Sequence, residues 1–504
     1  MTKRVTLSFC SDLGREYLYD DITGCIFPWN ELRETVLKLA LANTYHQKYE
    51  ALASQYGGRN VKDTYRFIES WRKNYGSFVR TWNESYWEAC PPVDQLEQYV
   101  RSRSSVLVLV LTENCNLRCK YCVLSSTYPL NRSRTVRRMN IATARQAVDW
   151  YVRLVEPQIT RNPPKRFGLS FYGGEPLMNM SVLKDILQYS QRNYPDIFQH
   201  VLTTNGTLLG PKNVEILVKH NVQLAISIDG PKGEHDRRRR DVRNSGTFEK
   251  IVRNLRRIKK DYPEYWNSKL TSVSVYDWGS DLEVVEKFFA ENEDLIPRSV
   301  IVNPVSPYNT DWYRQYTEHD QYRYELSLGR LREKYKRAKI GAASIGHYLN
   351  CVVGMNVLTV HLRPRARDDR PSFIPFSGAC VPGDRIAIQV DGKIDICERV
   401  NGMYPIGHLH GLGIDWERIK DLIEKYQRQV LFACSQCAVT RLCSLCFSHV
   451  ERNAEFRKAS ATCANIEKSA LQRLSDYVSI LEKNRQADFE FETNTAYLGK
   501  RLFF

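Results

Sequence analysis

Residues 113–124 read E-N-C-N-L-R-C-K-Y-C-V-L and carry three cysteines in the spacing C-x3-C-x2-C. Cys115, Cys119 and Cys122 follow the apolar run 106–111, which predicts a buried strand, so one loop leaving that strand presents three thiols. A structural zinc site needs four protein ligands, whereas three thiolates on a four-iron cluster leave one iron open to a small molecule. From the triplet alone, three incidental cysteines or half of a zinc site remain as alternatives.

Beyond this loop the pattern of strand, loop and helix repeats. The predicted strands are residues 106–111, 167–172, 200–204, 223–228, 270–276 and 299–302. Amphipathic helices separate them, as in residues 141–155, where apolar side chains share one face. The alternation predicts an α/β fold with a parallel sheet, here a six-unit, partial (β/α)6 barrel. In such a sheet, functional side chains gather at the carboxyl ends of the strands.

Polar residues follow three of these strands. The second strand ends at Gly173-Gly174-Glu175, where glycines let backbone approach a ligand closely and a carboxylate can hold an ammonium group. The third strand ends at Asn205 and the fourth runs into Ser227-Ile228-Asp229. His235-Asp236-x-x-Arg239 comes next, with its arginine inside the run 237–240.

The cysteine triplet, with Tyr121 before its last cysteine, resembles the radical S-adenosylmethionine (SAM) superfamily, and the strand-end motifs follow in that superfamily's order. The resemblance implies a [4Fe-4S] cluster on Cys115, Cys119 and Cys122, whose open iron binds SAM. It implies further SAM contacts, with Glu175 on the amino group and Arg239 near the carboxylate. The full set of implied SAM-binding positions is Tyr121, Gly173, Gly174, Glu175, Asn205, Ser227, Asp229 and Arg239.

A second cysteine-rich region follows. It contains Cys380, Cys397, Cys434, Cys437, Cys443, Cys446 and Cys463. The C-x2-C pairs alone would also suit tetrahedral zinc. The spacing resembles the SPASM extension of radical SAM maturases, which holds one or two auxiliary iron-sulfur clusters. By position, that resemblance implies a first auxiliary cluster on Cys380, Cys397 and Cys446, with Cys351 as a candidate fourth ligand.

The same resemblance implies a second auxiliary cluster, whose ligands would be Cys434, Cys437, Cys443 and Cys463. Glu398 directly follows Cys397, at a position where sulfatase maturases carry an acidic catalytic base. The alternative is an ordinary surface glutamate.

The length of 504 residues predicts several domains. Residues 1–100 read as strands followed by helices and resemble the winged helix-turn-helix peptide-recognition element of peptide maturases; a structural cap is the alternative. For the rest of the chain, the resemblance implies a radical SAM barrel at 101–309, a helical bridging region at 310–377, a SPASM domain at 378–484 and a tail at 485–504.

Composition indicates the compartment and the kinds of partner to expect for this chain. We find no apolar run of transmembrane length and no signal segment, which predicts a cytoplasmic protein without membrane partners. Fourteen cysteines in such a compartment indicate metal ligands and not disulfides. A formal charge of +16 favours an acidic partner, although most basic residues are spread along the chain as solvated faces.

The family resemblance implies an enzyme that cleaves SAM reductively and abstracts hydrogen from a ribosomal precursor peptide bearing a leader. An external donor such as flavodoxin or ferredoxin would supply the electron. We favour an intramolecular thioether crosslink; carbon-carbon crosslinking of aromatic side chains and sulfatase-type formylglycine formation are alternatives. From another class, a zinc-stabilised nucleic-acid-binding protein is the competing interpretation, whereas our prediction includes no nucleic-acid partner.

Overall fold

A computed structural model describes residues 2–81, 90–129, 133–160, 165–363, 365, 382–400, 405–431, 434–452 and 455–489. The N-terminal elements are β1 (Thr2–Arg4), β2 (Thr6–Cys10), β3 (Glu16–Asp20), β4 (Cys25–Pro28), α1 (Glu31–Leu41), α2 (Tyr45–Tyr56), α3 (Gly58–Tyr75) and β5 (Val79–Thr81). Strands β2, β3 and β4 form an antiparallel sheet in that order, and β1 pairs with β5.

This N-terminal unit has its own apolar core. Leu18 and Phe27 on the sheet pack with Val36 on α1 and Ile68 on α3 in a cluster separate from that of the rest of the molecule. The side chain of Asn30 caps α1, as its sequence position predicts, by accepting a hydrogen bond from the backbone N–H of Arg33. Helix α2 was not predicted, because its apolar residues are sparse.

A central sheet follows. Its strands, each matching one of the six predicted, are β6 (Val106–Thr112), β7 (Phe167–Gly173), β8 (Phe198–Thr204), β9 (Gln223–Ser227), β10 (Leu270–Tyr276) and β11 (Val300–Pro304). All neighbouring pairs are parallel, in sequential order. The α/β class with a sheet rich in parallel pairs is therefore confirmed. Strand β6 is apolar on both faces because helices cover the sheet.

Helices connect and flank these strands. They are α4 (Val93–Arg103), α5 (Ile141–Ile159), α6 (Met180–Asn193), α7 (Pro211–Lys219), α8 (Lys232–Arg238), α9 (Phe248–Asp261), α10 (Pro263–Lys269), α11 (Leu282–Glu291), α12 (Glu318–Ile340), α13 (His347–Leu349) and α14 (Met355–His361). A π-helical turn, Asn350–Gly354, joins α13 to α14. Within the described part of the chain, no helix is both long and apolar enough to cross a membrane.

The C-terminal region extends the central sheet. Its elements are β12 (Arg385–Ile388), β13 (Lys393–Asp395), β14 (Gly407–His408), β15 (Gly413–Ile414), α15 (Trp416–Tyr426), α16 (Phe447–Val450), β16 (Glu451–Arg452), β17 (Glu455–Phe456) and α17 (Ser460–Lys483). Strand β12 pairs in parallel with β6, and β13 to β15 continue antiparallel. The cysteine-rich region thus adds strands directly beside β6, the strand that leads into the cysteine triplet. The predicted loop at 362–376 lies almost wholly outside the described residues.

Candidate functional site

The cysteine loop is fixed on one side by the turn after β7. The N–H of Gly174 donates to the Thr112 carbonyl at 2.8 Å, and the N–H of Glu175 donates to the Asn114 carbonyl at 2.9 Å. A Cβ atom on Gly173 would lie 2.2 Å from the Thr112 oxygen, and one on Gly174 would lie 2.1 Å from the Asn114 oxygen. The close approach that needs these glycines is therefore to the chain's own cysteine loop. Their contact with a ligand stays a prediction.

The segment after α8 holds the other side of this loop. The N–H of Lys120 donates to the Arg238 carbonyl at 3.0 Å, and the N–H of Arg118 donates to the Arg240 carbonyl at 2.7 Å. An isolated bridge joins Leu117 to Asp241. The arginine run thus serves as a backbone partner of the triplet, a role that its side-chain charges did not suggest.

Glu175 is a buried carboxylate between two strand ends. Its oxygens accept hydrogen bonds from the Thr204 hydroxyl at 2.8 Å, the Asn205 N–H at 2.8 Å and the Leu177 N–H at 3.1 Å. Burial raises the pKa of Glu175 to about 7, while the bonds from Asn205 and Thr204 oppose the shift. Among the described residues it has no cationic ion-pair partner. An ammonium group is therefore a fitting ligand for it.

Asp229 lies at the centre of a charged cluster after β9. It accepts hydrogen bonds from the Tyr121 hydroxyl at 3.1 Å and from Nε of Arg239 at 3.1 Å. The Arg239 guanidinium also lies over the Tyr121 ring, 5.3 Å from its centroid. Burial alone would raise the pKa of Asp229, but Arg239 and Arg238 hold it below its ordinary value. Three of the predicted residues therefore meet in one contact.

Arg238 is a site residue that sequence reasoning missed. Its side chain is fully buried and pairs with Glu234 at 2.7 Å and with Asp277 at 3.3 Å. It also donates to the Val275 carbonyl at 2.8 Å. Arg238 therefore ties α8 to the end of β10. Its guanidinium also lies 5.6 Å from the centroid of the Tyr121 ring, whereas Arg239 makes the direct hydrogen bond to Asp229. The run 237–240 signalled a charged surface, and only the fold distinguishes its members.

Asn205 joins the end of β8 to the cysteine loop. Its amide donates to the side-chain oxygen of Asn116 at 2.9 Å and approaches Sγ of Cys115 at 3.8 Å. Asn116 in turn donates to the Thr207 hydroxyl at 2.8 Å. Asn116 was not predicted, since a single polar residue in a loop carries no periodic signal. Ser227 lies buried at the end of β9, as its predicted position requires.

The triplet thiols are half-buried on a loop with backbone donors nearby. Leu117 N–H donates to Sγ of Cys115 at 3.4 Å, and Leu124 N–H donates to Sγ of Cys122 at 3.4 Å. Burial raises the pKa of Cys119 to about 12, although the Arg239 guanidinium opposes the shift. The Cys119 thiol is therefore neutral on its own and loses its proton on binding metal. The N–H groups that donate to the sulfur atoms stabilise the negative charge of metal-bound thiolates. This donor set fits an iron-sulfur cluster.

Four cysteines of the second region lie around one buried ring. Burial raises the pKa of Tyr426, and the neighbouring thiols of Cys443, Cys446, Cys434 and Cys463 add to the shift. Cys437 belongs to the same neighbourhood, since the thiols of Cys434 and Cys443 add to the rise that burial causes in its pKa. These thiols therefore lie in one region of the molecule, and their ligation of a shared cluster stays a prediction.

The residues predicted for the first auxiliary cluster come from different parts of the chain. Cys397 follows β13, and its Sγ accepts from the Arg399 N–H at 3.3 Å. Cys351 lies on the π-helical turn and donates to the Val300 carbonyl at 2.9 Å. Cys380 lies outside the described residues. The ligand set that joins these cysteines to Cys446 therefore stays a prediction.

Glu398, the predicted base, is buried in an ion pair. Its two oxygens accept from Arg385 on β12 at 2.8 and 2.9 Å. Burial would raise the pKa of Glu398, but Arg385 and Arg399 hold it below its ordinary value. A carboxylate whose pKa is lowered in this way is a poor proton acceptor. In this structure the ion pair links the segment after β13, which contains Cys397, to β12.

Within the described ranges, no three His, Cys, Asp or Glu side chains are placed to hold one metal ion together.

Comparisons with known proteins place this geometry in context. A family model described as Radical SAM superfamily matches residues 109–275. The radical SAM cyclopropyl synthase TigE of Paramaledivibacter caminithermalis is 25% identical over 42% of this chain and 43% of that protein. A cysteine-type anaerobic sulfatase-maturating enzyme of Clostridium novyi is 25% identical over 38% of this chain and 48% of that protein. The chain therefore spans less than half the length of either relative.

A solved structure shares the fold more widely. Native anSMEcpe with bound AdoMet superposes with a TM-score of 0.52 at 17% identity, covering 75% of this chain and 97% of that one. At this identity the likeness is one of fold alone. It extends well beyond residues 109–275, so elements outside the matched family region belong to the shared architecture.

Proposed function

We propose that this chain is a radical SAM enzyme, using a [4Fe-4S] cluster and SAM, that modifies a ribosomally synthesised precursor peptide. The match of residues 109–275 to the family model described as Radical SAM superfamily supports the proposal. The observation that carries the proposal is the placement of the cysteine triplet. Its loop is hydrogen-bonded to the Gly-Gly-Glu turn on one side and to the segment 238–241 on the other. Glu175, Asn205 and Asp229 lie at the ends of the neighbouring strands. When bound, the cluster and SAM supply a one-electron reductive cleavage that leads to hydrogen abstraction from the substrate.

The chain's own residues bind and orient SAM in this proposal. Glu175 holds the amino group, since it is a buried carboxylate that lacks a cationic partner among the described residues. Arg239 offers its charge to the carboxylate of SAM while Asp229 and Tyr121 fix its position. Ser227 and Asn205 lie at adjacent strand ends and suit hydroxyl groups of the ribose. Gly173 and Gly174 bring the Glu175 turn against the cysteine loop.

We propose that the second cysteine region is a SPASM-type domain holding auxiliary clusters, with the residue division given by the sequence. The four thiols near Tyr426 support this assignment. Glu398 remains our candidate for a base, and its ion pair with Arg385 implies that substrate binding would have to release it first.

The N-terminal unit is proposed to bind the leader of the precursor as a winged-helix-like domain. In the sheet order β2-β3-β4, the outer strand β2 is covered by α17, where the Ser475 hydroxyl donates to the Cys10 carbonyl at 2.7 Å. Strand β4 is the other edge, and an extended peptide can add to such an edge by main-chain hydrogen bonds. The domain limits 1–100, 101–309, 310–377, 378–484 and 485–504 are part of the proposal.

An external electron donor such as flavodoxin or ferredoxin is also proposed. Arg118 and Lys120 on the cysteine loop are exposed, as is Arg243 on the segment that pairs with it. This basic surface beside the triplet suits an acidic redox protein, and its attraction to the chain would weaken with added salt.

The bond installed is proposed to be an intramolecular thioether. Carbon-carbon crosslinking and formylglycine formation are the alternatives; the likeness to a sulfatase-maturating enzyme favours the latter, and the likeness to TigE adds cyclopropane formation. The test uses anaerobically purified protein, SAM, a strong reductant and short peptides encoded beside the gene. A thioether product loses two hydrogens and one alkylatable thiol, whereas a carbon-carbon crosslink or a cyclopropane loses the hydrogens and keeps every thiol.

Formation of 5'-deoxyadenosine by brown, iron-rich protein supports the enzyme. Colourless protein that carries zinc and binds RNA or DNA in a salt-dependent manner would contradict it and favour the nucleic-acid-binding alternative.

A further inference from the structure

The N-terminal unit reaches the second cysteine region through one buried carboxylate. Asp21 lies in the turn between β3 and β4 and is fully buried. Its Oδ1 accepts a hydrogen bond from the backbone N–H of Arg441 at 3.0 Å, and its Oδ2 accepts one from the Thr440 hydroxyl. The turn of a hairpin near the start of the chain is therefore hydrogen-bonded to a loop more than 400 residues away in sequence.

The loop gripped by Asp21 is the one that separates two of the proposed cluster ligands. Thr440–Leu442 form a single 3-10 turn, and Cys437 and Cys443 flank the segment that contains it. Backbone carbonyls of the hairpin turn also accept hydrogen bonds from this loop. Arg441 Nε donates to the Asp21 carbonyl at 2.8 Å, and the same guanidinium donates to the Ile22 carbonyl. Both side chain and main chain of the turn are thus committed to this loop.

We propose that Asp21 is a positioning residue for the second auxiliary cluster, holding the loop between Cys437 and Cys443 and placing a buried negative charge beside it. The inference rests on the proposed function, which assigns those cysteines to a cluster. Groups that orient metal ligands from outside change metal affinity, and buried charge and hydrogen bonds nearby set cluster reduction potentials. The N-terminal unit would then form part of the cluster site in addition to binding a leader.

A matched control lies in the same unit. Asp12 accepts an ion pair from Lys336 on α12 at 2.6 Å, and its N–H donates to Ser479 on α17. Asp12 therefore also joins the N-terminal unit to the body of the protein, but through helices and not through the cysteine loop. Loss of docking alone would affect Asp12 and Asp21 variants alike.

The test uses the full chain with Cys115, Cys119 and Cys122 changed to Ala, so that any iron present belongs to the second region. In this background D21N, D21A and D12N are compared by iron content, by the rate of iron loss to a chelator and by an EPR-monitored redox titration. We expect D21N to move a cluster potential in the positive direction, since a negative charge is removed. D21A should lose iron about tenfold faster, and D12N should match the background.

Each result bears on the proposal. Unchanged potential and iron loss in D21N and D21A would overturn the role of Asp21 while leaving the cluster assignment intact. Equal effects of D21N and D12N would overturn it as well, since docking alone would then explain them. A background protein without iron would contradict the auxiliary-cluster assignment itself. If D21A fails to fold, the potential of D21N, which keeps the shape of the side chain, decides.

Discussion

Glu175 is a buried carboxylate with no cationic ion-pair partner among the described residues. Three hydrogen bonds from its own chain fix its oxygens, and burial keeps its pKa near 7. We predict that E175Q, which keeps the shape and removes the charge, binds SAM about tenfold more weakly or worse. A charged hydrogen bond contributes about 1.5–3 kcal/mol, and 1.4 kcal/mol is a factor of about ten.

Titration calorimetry with anaerobically reconstituted protein measures this affinity. D185N serves as the control, because Asp185 pairs with Arg145 between helices α5 and α6. Equal SAM affinity in E175Q and the parent protein would remove Glu175 from the SAM site.

Arg238 and Arg239 are neighbours with different tasks. Arg238 is fully buried against Glu234 and Asp277, so R238Q should lower the free energy of unfolding by about 3 kcal/mol. Arg239 faces Asp229 and Tyr121 at the cysteine loop, so R239Q should weaken SAM binding about tenfold, which R238Q should not. Urea unfolding together with SAM titration separates the two effects. The reverse pattern would exchange their roles.

His200 should make the fold sensitive to acid. Burial, helped by nearby His220, lowers the pKa of His200 to about 4, and Ser190 hydrogen-bonds its ring at 2.8 Å. Unfolded histidine has a pKa near 6.5, so the neutral ring's contribution is complete above that value and is lost as the pH falls towards 4. The loss amounts to about 3 kcal/mol.

Replacing His200 by Gln removes this titration. The difference in unfolding free energy between parent and H200Q should therefore shrink by up to that amount between pH 7 and about pH 4. Urea unfolding at several pH values measures it. A difference that stays constant across this range would mean that His200 is not held neutral.

At the scale of elements, the site depends on how two loops fit. Gly174 touches the backbone of Asn114 so closely that an added Cβ would lie 2.1 Å from its oxygen. We predict that G174A displaces the cysteine loop and lowers iron bound by the triplet, while the far-ultraviolet circular dichroism stays the same. G233A is the control, since a Cβ at Gly233 meets nothing within 4 Å. Full iron content in G174A would show that the clamp is dispensable.

The strands of the core were predictable because burial on both faces leaves continuous apolar runs, as in β6 and β9. Parallel order then brings their carboxyl ends to one edge, where Glu175 accepts a hydrogen bond from the backbone of Asn205. The binding of SAM by these residues and Asp229 stays a prediction. The glycine pair was also recognised. Its contact with the backbone of Thr112 and Asn114 was not predicted, because a sequence does not say whether a ligand or the chain's own backbone will lie against two glycines.

Contacts between segments far apart in the chain could not be predicted from the sequence. The pairing of β12 with β6 and the grip of Asp21 on Thr440 depend on tertiary packing, and no local periodicity signals either. Arg238 is the last residue of α8 and Arg239 caps that helix in an extended conformation, so the two side chains take different partners. Helix α4 was missed because its stretch is short and strongly polar.

At the scale of the molecule, the sheet joins the two cysteine regions. Strand β12 lies beside β6, so the region that carries Cys397 is built onto the strand that leads to Cys115. The N-terminal unit has its own core and yet is tied by Asp12 and Asp21 to both α12 and the second cysteine loop. In the proposed enzyme, peptide recognition and both kinds of cluster therefore share one continuous framework.

Iron analysis of a triple variant tests the central claim most directly. Cys115, Cys119 and Cys122 are changed together to Ala, and iron, SAM cleavage and the EPR spectrum with SAM are measured beside the parent. We predict that about four iron atoms per chain are lost, that 5'-deoxyadenosine formation stops, and that the remaining iron signal no longer responds to SAM. Retention of SAM cleavage, or an unchanged iron content, would contradict the account.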